Sequence, residues 1–148
     1  MKIGTREVGP GHPCYIVAEI GINHNGNLDM AKRLIDAAAL AKCDAVKFQK
    51  RTINVVYTPD ELAKPRENPF GPTNGHLKRG LEFEHEYNEI AKHCFIHGID
   101  WFASPWDVAS VDFLQEYDVP AYKVASACLT YDPLLRAYQG LRGVCLPR

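Results

Sequence analysis

Several things are missing from this chain, and each absence narrows what it can be. No window approaches the ~20 consecutive apolar residues that a membrane span needs. The opening Met-Lys-Ile-Gly-Thr-Arg-Glu lacks the apolar core of a secretory signal, so a cytoplasmic protein is expected. An excess of either charge is also missing. Seventeen Lys and Arg face eighteen Asp and Glu, a net charge of -1, which argues against a nucleic-acid or anionic-membrane partner. There is no G-x-G-x-x-G and no G-x-x-x-x-G-K-[ST], the two glycine-rich loops that cradle nucleotide phosphates. The five cysteines are odd in number and never spaced C-x-x-C, so a disulfide framework or zinc site is not expected. They read as reduced thiols that fill small spaces in a core. Low-complexity tracts and internal linkers are absent too, and the 148 residues read as one domain.

What is present is an alternation of strand and helix patterns. Cys14–Ile20 is a short apolar run, and Asn27 suits the cap of a helix from Leu28 to about Lys42. Asp44–Gln49 reads as a second strand, with Val46 and Phe48 facing one way and Lys47 and Gln49 the other. Residues 50–81 show no sustained period. Their four prolines suggest a long functional or mobile connection, in which Pro59–Lys64 suits a short helix. A helix over Phe83–His97 stops at Gly98. A third strand, Asp100–Ser104, is followed by a helix capped by Asp107. A fourth, Ala121–Ser126, precedes a helix capped by Asp132 with Pro133 in its first turn. Gly143–Leu146 can start a fifth strand.

This order argues for an α/β protein with a parallel sheet. Two architectures compete: an open doubly wound sheet, and the (β/α)8 barrel, which normally needs ~250 residues. The missing phosphate loops weaken the first. As a barrel, the chain holds about the first four to five βα units.

The polar residues cluster at strand ends. Glu19 ends the first strand, Lys47 and Gln49 the second, Ser104 the third, and Lys123 and Ser126 the fourth. In a parallel barrel these ends share one rim, where active sites are built. Lysines converging there bind phosphate or carboxylate, so a small anion is expected. Each residue also has a plain reading. Lysines snorkel, serines cap helices, Glu19 can pair with Lys47 or Lys123, and Asn23–Gly26 can be only a turn. His24 has no H-x-x-x-H partner and reads as a poor metal ligand.

Taken in order, "AEIGINHNG", "DAVKFQ", "FASPWD" and "YKVAS" resemble the sialic acid synthase family, over roughly residues 12–136. The resemblance implies a (β/α)8 barrel, usually followed by a small antifreeze-like domain, and a homodimer. It implies a transferase that condenses phosphoenolpyruvate with an N-acetylated sugar such as N-acetylmannosamine, releasing phosphate. It also implies a divalent metal, manganese or magnesium, that polarises the sugar aldehyde. By motif, Lys47, Ser104, Lys123 and Ser126 match the phosphoenolpyruvate cradle. Gln49 matches a sugar contact, and Glu19 the glutamate beside the reacting carbons. Asn74 or Asn68, in the long connection, would touch the N-acetyl sugar.

The family's metal-binding histidines belong to later strands, so no metal ligand is expected among residues 1–148. The tail from Gly140 to Arg148 departs from the family's pattern. The expectation is therefore a partial synthase barrel, marginal alone and prone to self-association through open strand edges. Two alternatives stay open: an inactive remnant that only binds anions, and a Schiff-base aldolase using Lys47 or Lys123.

Overall fold

The computed structural model describes residues 1–141 and 143–146. A small antiparallel hairpin, β1 (Lys2–Ile3) and β2 (Arg6–Glu7), comes first. The sheet that follows is built from β3 (Val17–Gly21), β4 (Ala45–Lys50), β7 (Asp100–Pro105), β8 (Ala121–Lys123) and β9 (Val144–Leu146). These five strands are parallel and lie side by side in chain order. That decides between the two architectures. A doubly wound sheet reverses its strand order at a switch point, whereas a barrel adds each strand beside the last. This is a partial barrel. Among the described residues no helix is long and apolar enough to cross a membrane.

Helices α1 (Leu28–Leu40), α5 (Glu86–His97), α6 (Val108–Gln115) and α7 (Asp132–Ala137) connect the strands. Asn27 caps α1 by accepting from the Met30 amide at 2.9 Å. The helix stops at Leu40, short of Lys42, because Lys42 turns left-handed with φ +60°. Gly98, at φ +63°, ends α5 as expected. Asp132 is not the cap of α7: Tyr131 holds that place, and Asp132 is the first helical residue, accepting from Arg136 at 2.8 Å. The fourth strand also stops early, at Lys123, and Ser126–Cys128 form a 3-10 turn. The expected fifth strand is β9. Of the tail, Arg142, Pro147 and Arg148 lie outside the described residues.

Residues 50–81 are not a structureless connection. They fold as α2 (Ile53–Val56), α3 (Pro59–Ala63), the hairpin β5 (Pro65–Asn68) and β6 (Gly71–Thr73), and α4 (Asn74–Gly80). Each element is too short to show a period, which is why the pattern hid them. Local chemistry specifies them instead. Thr58 and Glu61 form a reciprocal capping box with Pro59 in the first turn of α3, and Thr73 caps α4.

The core packs on the outer, helix-facing side of the sheet. Tyr87 of α5 is 1% exposed; it meets Phe48 edge-on and stacks on Trp101 at 5.5 Å. Ala31 and Ile35 of α1 and Ile90 of α5 are fully buried beside it. His24 belongs to this core. It is 2% exposed and stacks on Phe83 at 3.9 Å, and its Nδ1 accepts from the Gly26 amide at 3.1 Å. Burial depresses its pKa to about 4.

Asp107 is the main polar tie between connections. It is 1% exposed. Its carboxylate accepts from the Ser110 amide and hydroxyl, capping α6, and from the Thr52 amide and hydroxyl at the exit of β4. Nearby, Glu82 faces Lys50 at 3.8 Å and Arg51 at 3.5 Å, and burial raises its pKa to about 7 against the pull of those cations.

Two outcomes follow. Asp107→Ala strands several buried donors and should cost about 2–4 kcal/mol in a denaturation series. An unchanged midpoint would show that the tie is dispensable. The pH dependence should carry two opposed contributions. His24 has a depressed folded pKa, so its stabilisation is present above 6.5 and lost as pH falls through about 4. Glu82 has a raised folded pKa, so stability is present below 4.5 and lost as pH rises through about 7. The stability gap between wild type and His24→Asn should therefore shrink on acidification, and the gap to Glu82→Gln on alkalinisation. Each change should be on the order of 2–3 kcal/mol. Gaps that stay constant from pH 4 to 7 would contradict both assignments.

Candidate anion-binding cleft

Strand register builds this site. Directly paired residues of a parallel sheet point to the same face, and residues two apart along a strand share a face. Glu19 pairs with Lys47, and Gln49 pairs with Ser104. Ala103 pairs with Tyr122, which sets Lys123 beside Ser104. Glu19, Lys47, Gln49, Ser104 and Lys123 therefore share the inner face at the C-terminal ends of their strands. They line one cleft of about 340 Å³, with Ser126 at its edge.

Lys47 is the centre of the cleft. It is 4% exposed, and its ammonium lies 2.5 Å from Glu19 Oε1 and 3.5 Å from Ser104 Oγ. Burial lowers its pKa; Lys123 and Arg51 push the same way, and the Glu19 carboxylate opposes them. Glu19 is open to solvent, its side chain 57% exposed. It is a rim residue that reaches in to a buried lysine. Among the residues lining the cleft Glu19 is the one acid, against Lys47 and Lys123. The charge balance favours an anion.

Two supports were not evident from the motifs. Gly21 leaves β3 at φ +56°, where the register slips by one residue against β4. A β-carbon there would stand 3.3 Å from Glu19 Oε1 and 3.5 Å from the Gln49 amide nitrogen. Glycine thus provides both the backbone conformation and the room. The second is Arg51, 6% exposed just after β4. Its guanidinium hydrogen-bonds the Gln49 side-chain oxygen and the Tyr57 hydroxyl and lies 4.5 Å over the Trp106 ring. On the other side Tyr87 donates to the Gln49 carbonyl at 2.9 Å. Gln49 is held from two directions. The basic run Lys47, Lys50, Arg51 was the available signal, but nothing in its spacing says which cation faces which way.

The long connection contributes differently. Asn74 does not line the cleft. Its Nδ2 donates to the Glu61 carbonyl at 3.1 Å, tying α4 to α3, and Asn68 bonds within its own hairpin. His24 is in the core and faces no ligand space.

Residues 34–144 match the NeuB family. The chain is 41% identical over 133 residues to N-acetylneuraminate-9-phosphate synthase of Homo sapiens, covering 88% of this chain and 37% of that protein. It is 34% identical over 140 residues to N,N'-diacetyllegionaminic acid synthase of Legionella pneumophila, covering 90% of this chain and 38% of that one. The chain thus spans well under half the length of these curated relatives. In structure it resembles the N-acetylneuraminic acid synthetase of Leptospira borgpetersenii, solved in complex with citrate. The TM-score is 0.78 at 29% identity, over 93% of this chain and 45% of that one. With the family match spanning most of the chain and the four ordered motifs on their expected strands, this chain belongs to the NeuB family, the sialic acid synthase family.

Proposed function

We propose that the cleft binds phosphoenolpyruvate and forms the phosphoenolpyruvate half of a nonulosonic acid synthase site. The observation that carries this is the convergence of Lys47, Lys123, Ser104, Ser126 and Gln49 around one cleft whose lining includes a single acid. The names of the relatives support the same reaction class, sialic and legionaminic acid synthesis.

In this reading, Lys47 and Lys123 hold the phosphate and carboxylate of phosphoenolpyruvate, with Ser104 and Ser126 as hydrogen-bonding partners. Carbon 3 of phosphoenolpyruvate attacks the aldehyde of an N-acetylmannosamine-like sugar. Water adds at carbon 2, and phosphate leaves with cleavage of its C–O bond. The two ammonium groups stabilise the negative charge that collects on the phosphate oxygens. Gln49, fixed by Arg51 and Tyr87, is placed to meet the sugar. Glu19, solvent-open and next to Lys47, orients the sugar hydroxyls and moves a proton. The divalent metal implied by the resemblance does not fit these residues. The lining offers one carboxylate, and Lys47 engages it. The metal's ligands would have to come from residues other than those lining this cleft.

A second reading has one observation in its favour. The lowered pKa of Lys47 is the property a Schiff-base lysine needs. The nearby carboxylate favours the ammonium form, which suits anion binding better.

Calorimetric titration of the chain with phosphoenolpyruvate separates these readings. Lys123→Ala should weaken binding by roughly tenfold or more, the value of a lost charge-assisted contact, while leaving the melting midpoint close to wild type. Affinity that is insensitive to Lys123→Ala and to Lys47→Ala would overturn the assignment. Borohydride treatment with pyruvate should leave both lysines unmodified; a covalent adduct at either would establish the aldolase reading instead. Binding without formation of a 2-keto-3-deoxy acid from phosphoenolpyruvate, N-acetylmannosamine and manganese would favour the non-catalytic anion binder.

A further inference from the structure

On the outer helical layer, at the opposite end of the strands from the cleft, three side chains meet with no part in the chemistry above. His93 and His97 lie one turn apart on α5, the i,i+4 spacing that puts both on one face. Asp36 reaches them from α1. The Nε2 atoms of His93 and His97 stand 2.6 Å and 3.2 Å from the same carboxylate oxygen, Asp36 Oδ1. The two rings are 4.5 Å apart. All three potential ligand atoms lie within 4.8 Å of one another. Among the described residues this is the one such group of three or more.

An ion-pair explanation accounts poorly for this arrangement. Both imidazole nitrogens are aimed at one carboxylate oxygen, and a single oxygen already engaged by His93 at 2.6 Å gives the second ring, at 3.2 Å, a poor direct partner. Nearby cations do not fill the role of a partner. Glu89 takes Lys32 at 3.3 Å and Lys92 at 2.9 Å, leaving Asp36 to the histidines. A divalent ion resolves the conflict. It accepts a lone pair from each neutral Nε2 and the negative charge of the carboxylate together. Tetrahedral ligands about 2.0–2.1 Å from zinc are roughly 3.3 Å apart; His97 already stands 3.2 Å from Asp36 Oδ1, and His93, hydrogen-bonded to it at 2.6 Å, would draw back by a side-chain adjustment to admit the ion.

We propose that Asp36, His93 and His97 form a surface site for a divalent transition metal of the imidazole-preferring class, with zinc as its representative. Three protein ligands leave a fourth position for water. Binding displaces any proton shared between Asp36 and the rings and releases it to solvent. The site joins α1 to α5, two of the helices that cover the side of the sheet carrying Phe48, so an occupied site braces that part of the outer layer. It is separate from the metal of the condensation reaction, because His97 closes α5 just before β7 begins, at the strand end away from the cleft.

The test is calorimetric and thermal titration of the chelator-treated chain with zinc ion alone. Wild type should bind one equivalent, with a melting midpoint raised by several degrees at saturating zinc. Single His93→Gln and His97→Gln variants should lose roughly tenfold or more in affinity, and Asp36→Asn should also bind more weakly. The His93→Gln/His97→Gln double variant reports any binding by the remaining histidines and by exposed Cys14 and Cys145. Equal zinc affinity in wild type and double variant, or a midpoint that zinc does not move in wild type, overturns the proposal. Circular dichroism of the metal-free variants confirms that these surface changes leave the fold in place.

Discussion

The site depends on keeping one lysine charge inside a parallel sheet. Lys47 is almost completely removed from solvent, and an isolated buried ammonium would shed its proton or destabilise the strand. Glu19 prevents that. It occupies the directly paired position on the neighbouring strand, so register, rather than a flexible side chain, holds the two charges together. Because Glu19 itself stays exposed, only one of the two ions carries a full desolvation cost, which weakens the usual objection to a buried ion pair. An entering anion can then meet a charged lysine.

That arrangement constrains its surroundings. The carboxylate must turn back over the strand end, and the chain must leave immediately. Gly21 satisfies both needs with a left-handed φ, a register slip and no side chain to collide with Glu19 or Gln49. On the next strand over, Ser104 takes the other side of the Lys47 ammonium, and Lys123 stands beyond it. A second lysine adds to the cost of keeping Lys47 charged, and the same repulsion makes the cleft favourable for a doubly charged ligand.

Much of this was legible from the residues because strand alternation is local. "DAVKFQ" states which side chains share a face, and a parallel barrel states that strand ends share a rim; Glu19, Lys47, Gln49, Ser104 and Lys123 follow. What escaped was decided by contacts distant in sequence. The elements within residues 50–81 are three to seven residues long, too short for a period, and are specified by caps and prolines. His24 looked like part of a polar turn, yet Phe83, far along the chain, draws it into the core. Asn74 opens α4, and its Nδ2 donates to the Glu61 carbonyl, a tie between α4 and α3 that no spacing announces. The pairing of Asp36 with His93 and His97 depends on how α1 and α5 lie together, which no spacing rule reports.

The contrast between two lysines of β4 shows how closely burial and function are tied to strand parity. Lys47 and Lys50 are equally buried, at 4% exposure each. Three residues apart, they point to opposite faces. Lys47 enters the cleft, where its partner is exposed and exchangeable. Lys50 enters the helix layer, where its ammonium rests 5.0 Å over the Phe113 ring and faces Glu82, itself mostly buried. The first environment is open on one side, where the Glu19 partner is exposed to solvent. In the second, Lys50 shares the mostly buried Glu82 carboxyl with Arg51, so its partner is part of the helix layer and is not solvent-open as Glu19 is. A shift of one residue in the register of β4 would exchange these fates, placing Phe48 in the cleft and Lys47 in the core. The paired positions along β3, β4 and β7 therefore decide which charges line the cleft as much as they stabilise the sheet.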